Sequence, residues 1–211
     1  MIDILFENDE LVACVKPVGV PSQKDGAEDM VSLLTQLCGK KIYPIHRLDT
    51  AVGGTMVFAK SSAAAAKLSG IIAGGGFAKE YLAVIEGVPQ TATGHFEDLL
   101  FKDSKKNKSF VVKRERKGVR KAALDYSVVA ENDGRSLVRI RLGTGRSHQI
   151  RVQFASRKMP LCGDGKYGSR DNGCTVALWS ESVGFELGGK SYSFKSRPDF
   201  SKYPWNLFKE P

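Results

Sequence analysis

AALDYSVVAENDGRSLVRIRLG, residues 122–143, holds two runs rich in β-branched and aromatic residues, 122–130 and 136–143. Between them lies END-GR, a cluster of turn-forming residues. So short a connection joins only antiparallel neighbours, because a parallel pair needs a crossover of a dozen or more residues. The stretch is therefore a hairpin. Residues 2–6 and 11–16 repeat the pattern around ENDE, and the second run stops at KPVGVPS, where two prolines and a glycine forbid regular structure. Further strands are read at TMVFAK (55–60), at KEYLAVIEG (79–87), with Tyr81, Ala83 and Ile85 on one side, and at TVALWS, VGFELGG and SYSFKS.

Three helices are expected. AEDMVSLLTQLC, 27–38, lines up Met30, Leu33, Leu34 and Leu37 and stops at Gly39. A second helix follows the cap Ser61 and closes at glycines 74–76, and a third covers 147–157 with Ser147 as its cap. Strands outnumber helices and pair as hairpins instead of alternating with them. The fold class is α+β, a mainly antiparallel, mixed central sheet flanked by a few helices and loops. No repeat or linker divides residues 1–211, which are read as a single domain.

The charge balance is unusual. Lys and Arg number 32 against 23 Asp and Glu, a net charge of +9 and a pI near 9.4. Such an excess suits a polyanionic partner, RNA or DNA, because neutralised phosphates release counterions. Much of it lies in FKDSKKNKSFVVKRERKGVRK, read as a basic hairpin or loop on the surface, either simply solvated or an RNA face with Lys105, Lys106, Lys108, Lys113 and Arg114 as the candidate contacts. No apolar run reaches the ~20 residues of a membrane span, and the acidic start is unlike a secretion signal. The four cysteines, Cys14, Cys38, Cys162 and Cys174, are scattered without metal-ligand spacing. Reduced thiols, no metal, no cofactor and a cytoplasmic location are the expectations.

Three polar clusters meet loops. IHRLDTAVGG, 45–54, brings His46, Arg47 and Asp49 together. Strand-like alternation sends His46 and Leu48 one way and Arg47 and Asp49 the other, so the latter two form either a reactive pair or a surface ion pair of small energetic worth. GTGRSHQIR, 143–151, carries Arg146, His148, Gln149 and Arg151 around a helix start that can face an anion. Tyr81 in KEYLA is either a half-buried core residue or a ring that stacks on a nucleobase.

Taken in series, HRLD with its glycine, MVFAKS, KEYLA, GRSHQIRVQFA and PLCGDGKYG, together with the KP-G-P turn, resemble the RluA-type pseudouridine synthases. The resemblance runs from ENDELVACVKPVGVPS through KYG. It implies an enzyme that isomerises chosen uridines in rRNA or tRNA: the C1′–N1 bond breaks, the base rotates and a C1′–C5 bond forms. It implies that Asp49 is the essential aspartate, that Arg151 pairs with it, that Tyr81 lies against the target base, and that Arg47 is associated with RNA opened around the flipped nucleotide. His46, Arg146, His148 and Gln149 fall in the substrate-binding stretches. RNA is the implied partner, with no membrane, no obligate protein partner and a monomer as the default.

Two departures stand out. The family pattern after the aspartate is roughly x-x-T-S-G, where this chain has Thr50-Ala51-Val52-Gly53-Gly54. Many relatives also carry an N-terminal S4-type RNA-binding domain, and this chain is expected to be the catalytic domain without it. Two other functions fit parts of the sequence. A non-catalytic RNA-binding module on the same fold has no need of Asp49 or Arg151. A metal-free RNA hydrolase works through His46 and His148 and has no need of Tyr81.

Overall fold

The computed structural model describes residues 2–23 and 28–211. In chain order its strands are β1 (Asp3–Glu7), β2 (Leu11–Lys16), β3 (Tyr43–Pro44), β4 (Gly53–Ala59), β5 (Phe77–Glu86), β6 (Thr93–Asp103), β7 (Lys108–Val112), β8 (Val119–Asn132), β9 (Arg135–Leu142), β10 (Leu178–Leu187) and β11 (Lys190–Lys195). The α-helices among the described residues are α1 (Met30–Cys38), α2 (Ser62–Ala73) and α3 (Gln149–Ser156). None is long and apolar enough to cross a membrane. The class is α+β with mostly antiparallel pairing, and the chain divides into two compact units. One comprises residues up to Glu80 with Trp179–Pro198, the other Tyr81–Leu178 with Asp199–Pro211.

In the first unit β4 is the central strand. It pairs antiparallel with β2 from Leu11↔Ala59 to Lys16↔Gly54 and parallel with β10 at Trp179↔Gly53 and Ser180↔Gly54. All seven residues of β4 are buried, as an apolar run covered on both faces must be. Ser61 caps α2 by accepting the Ala64 N–H, and Ala64 and Leu68 enter a core with Leu11, Val57, Phe77 and Phe185. Phe77 and Phe185 stack with 10° between their planes. Asp29 caps α1 and Gly39 ends it in the left-handed region, φ 62°. The expected helix start at Ala27 lies outside the described residues. Leu37 is exposed, unlike Met30 and Leu34.

The second unit is built on the stretch that opened the sequence reading. β8 and β9 form the antiparallel hairpin, Asn132↔Arg135 closing it, with Asp133 and Gly134 both at positive φ. Both central turn residues take that sign in the type I′ turn, whose twist suits a hairpin. β6 joins β8, and β7 joins β6, so the basic segment is indeed a strand hairpin. α3 lays Phe154 edge-on against Phe96, 5.1 Å between centroids.

Several expectations change. Ser147 does not cap α3: the helix starts at Gln149, and His148 stands before it at φ 52° with no side-chain cap bond. The Ser147 carbonyl instead accepts the Ser109 hydroxyl. Residues 81–85 of β5 are buried without alternation. TVALWS and VGFELGG are parts of one strand, β10, because Ser180 and Ser182 are accommodated inside it. Ser180 donates to the Thr55 carbonyl at 2.9 Å, and Ser182 donates to Glu80 at 3.2 Å.

Candidate active site

Asp49 lies in the chain reversal between β3 and β4. Polar alternation survives there without a strand: His46 and Leu48 are buried, Arg47 is exposed and Asp49 half-buried. The backbone on both sides of Asp49 is clamped by the KPVGVPS loop. Ser22 donates its hydroxyl to the Leu48 carbonyl (2.8 Å) and accepts the Leu48 N–H (3.0 Å). Gly19 N–H bonds the Thr50 carbonyl at 2.8 Å, and Val52 N–H closes the turn on the Asp49 carbonyl at 2.9 Å. Lys16, wholly buried, donates to the carbonyls of Pro17, Val20 and Thr50 at 2.9, 2.6 and 3.2 Å. An ammonium has three donors and no acceptor, so three carbonyls satisfy it. Burial pushes its pKa down to about 8, while the Asp49 carboxylate pulls it back up. Asp49 thus has a fixed backbone and a buried cation acting on its carboxylate.

Gly53, where the family pattern has serine, and the retained Gly54 each have a steric cause. A Cβ on Gly53 would meet the Trp179 ring at 2.4 Å. Gly54 has φ 117°, and a Cβ there would meet the Ser180 carbonyl oxygen at 2.4 Å. Trp179 fills the volume a larger residue would need, and its indole N–H donates to Ser196, whose hydroxyl also bonds Thr55.

His46 is structural. Its Nε2 accepts the Val57 N–H at 3.0 Å, its ring packs against Phe77, and burial, reinforced by Lys79, pushes its pKa down to about 3. An unfolded chain takes up this proton near the ordinary histidine value, and the folded chain does so only near pH 3. The stability linked to His46 is therefore present above about pH 6.5 and lost as pH falls toward 3. Moving from pH 7.5 to 5.5 should cost about 1 kcal/mol in urea unfolding through this residue. His46→Gln should remove that increment, and an undiminished loss in the variant would contradict the assignment.

In the second unit, Arg151 of α3 is buried and pairs bidentately with buried Asp164. Nε donates to Oδ2 at 2.6 Å and Nη2 to Oδ1 at 2.8 Å. Its guanidinium also lies 5.2 Å from the centroid of the Tyr167 ring. The Tyr167 oxygen accepts the Ser109 N–H at 2.8 Å and lies 2.9 Å from His148 Nδ1. Gln149 closes the start of α3 from within: its Oε1 accepts the Arg146 N–H and the Thr144 hydroxyl, and its Nε2 donates to Ala123. Arg146 spends Nε on the Lys121 carbonyl. Tyr81 is buried in β5.

Among the basic hairpin residues, Lys105, Lys106, Lys113 and Arg114 are exposed. Lys108 is half-buried, donates to the Lys166 carbonyl and lies over the Tyr167 ring. Glu86, Cys162 and Asp171 place potential ligand atoms within 4.8 Å of one another. Their chemistry is that of an internal network: Glu86 accepts the Ser169 hydroxyl, Asp171 the Tyr203 hydroxyl, and burial holds the Cys162 thiol protonated, its pKa raised to about 12.

Sequence reasoning assigned no role to Lys16, Asp164 or Tyr167. The signal for the last two was present in PLCGDGKYG, where an acid and an aromatic flank glycines.

A family model described as RNA pseudouridylate synthase matches residues 10–156. An uncharacterized RNA pseudouridine synthase of Zymomonas mobilis is 36% identical over 172 residues, covering 79% of this chain and 78% of that protein. The ribosomal large subunit pseudouridine synthase D of the same organism is 30% identical over 79% of this chain and 56% of its own length. A tRNA pseudouridine synthase C of Haemophilus ducreyi is 31% identical, over 79% and 74%. The chain thus spans little more than half the length of some relatives. In fold it is similar to human RNA Pseudouridylate Synthase Domain Containing 1, with a TM-score of 0.82 at 19% identity, over 95% of this chain and 84% of that one.

Proposed function

This chain belongs to the RNA pseudouridylate synthase family, and from that premise we propose that it converts chosen uridines of rRNA or tRNA to pseudouridine with Asp49 as the catalytic carboxylate. Relatives named for large-subunit ribosomal RNA and for tRNA support both substrate classes. The observation that carries the residue assignment is the clamped Leu48–Thr50 backbone, with the buried ammonium of Lys16 acting on the Asp49 carboxylate. A carboxylate that adds to a base or assists glycosidic cleavage must be held in one direction, and the clamped turn holds this one.

The remaining roles follow from the chemistry. The reacting uridine leaves its stack, at a cost of a few kcal/mol that a base pocket and basic surface offset. Tyr81 lies against the base. Arg151, whose plane is fixed by its pair with Asp164 through Nε and Nη2, is the arginine that the family resemblance assigns as the partner of the catalytic aspartate. Exposed Arg47 and Arg146 contact the RNA opened around the uridine, with Lys105, Lys106, Lys113 and Arg114 further out. His46 is not an acid or base, because its Nε2 is bonded to Val57 and its ring stays neutral. That disfavours a hydrolase acting through His46 and His148. The enzyme works as a cytoplasmic monomer with reduced thiols.

Forming C1′–C5 expels the hydrogen on uracil C5, which neither binding nor strand cleavage does. Incubation with cellular RNA tritiated at that carbon should release tritium into water. No release from any RNA pool would sink the reading.

A further inference from the structure

Residues 113–121, KRERKGVRK, carry six cations against one acid, and the catalytic roles above use neither Arg116, Arg120 nor Lys121. The structure gathers these three around a cavity of about 460 Å³, completed by Leu99, Val119 and Glu115. The sheet register sets its floor. Leu99 lies between Val112 of β7 and Lys121 of β8, and Phe101 lies between Phe110 and Val119. Residues two apart on a strand share a face, so these rows are neighbours on one side of the sheet. Leu100, between them, packs with Ala122 and with Val152 of α3 on the other side. This floor therefore faces away from α3, and Lys121 shares its side, while Arg120, opposite Leu100, projects toward the α3 side and only its strand position borders the cavity. The Arg116 guanidinium lies 4.7 Å from the centroid of the Phe101 ring, which holds one cation over the apolar floor.

An apolar floor within a rim of cations matches a nucleotide, whose base has a flat uncharged face and whose flanking phosphates are anionic. We propose that this cavity is a second RNA site, holding an unpaired nucleotide of the substrate away from the reacting uridine. The base rests on Leu99 and Val119, and the phosphates meet Arg116 and Lys121. This rests on the RNA-modifying function proposed above and gives that function an anchor on a separate face of its unit.

The test is the affinity of the full chain for a labelled single-stranded RNA as salt is varied. It compares Arg116→Gln/Lys121→Gln with a control, Lys190→Gln/Lys195→Gln, which removes the same charge from exposed positions elsewhere. The cavity variant should bind about tenfold more weakly at low salt, and its slope of log affinity against log salt should be shallower by about 1.4. The control should lose less than about a third of that change in slope. Equal losses in the two variants would overturn the site. Displacement of the RNA by inorganic polyphosphate or polyglutamate as readily as by unlabelled RNA of equal charge would also overturn it, since the floor would then play no part. Tritium release by the unmodified chain is scored separately. Release combined with an unaltered cavity variant overturns this site alone, and absence of release overturns the functional reading.

Discussion

Asp49→Asn should cut tritium release from C5-labelled RNA by at least about a thousandfold, the scale for losing a group that acts in the transition state. Asparagine keeps the shape and removes the charge. The clamps on this turn come from the backbone of Leu48, Thr50 and Val52 and from Ser22 and Lys16, so the variant should fold and bind RNA as before. Binding by the variant, measured alongside, separates chemistry from affinity. Residual release within about tenfold of the unmodified chain would remove Asp49 from the reaction.

The second large effect is on stability. Arg151 and Asp164 form a buried bidentate pair, and desolvating two charges is compensated only by their mutual geometry. Removing one member of such a pair typically costs about 3–5 kcal/mol. Asp164→Ala should destabilise the chain by that amount in urea unfolding at neutral pH, and Asp164→Asn by less, because the amide oxygen still accepts one bond. A loss below about 1 kcal/mol in the alanine variant would show that the pair is energetically neutral. The same variant should slow tritium release on bound RNA, since Asp164 fixes the plane of the Arg151 guanidinium.

The hairpin at 122–143 was readable because both strands and their turn are contiguous, so local propensity and pairing agree. Ser61 was readable as a cap for the same reason: its partner is three residues away. The start of α3 was not. There Gln149 reaches back to the Arg146 N–H and the Thr144 hydroxyl, and its own N–H, one that a cap at Ser147 would serve, bonds the Arg146 carbonyl instead. β10 was split on paper because its serines look like a turn, and only the Thr55 carbonyl and Glu80, far away in sequence, make them strand residues. Lys16 was hidden differently. A lysine before proline reads as surface, and the three carbonyls that receive it come from the folding of two loops. The site residues themselves came from a series of short motifs; propensity alone would have left Asp49 as half of an ion pair.

Gly53 and Trp179 describe one volume shared by two positions 126 residues apart, registered side by side by the parallel pairing of β4 and β10. Neither is free to drift alone. Serine at 53 demands that the indole be replaced by something smaller, and a smaller residue at 179 leaves a void that glycine cannot fill. A side chain at 53, where the family pattern has serine, would need the space the indole holds, so the turn after Asp49 is backed here by aromatic packing.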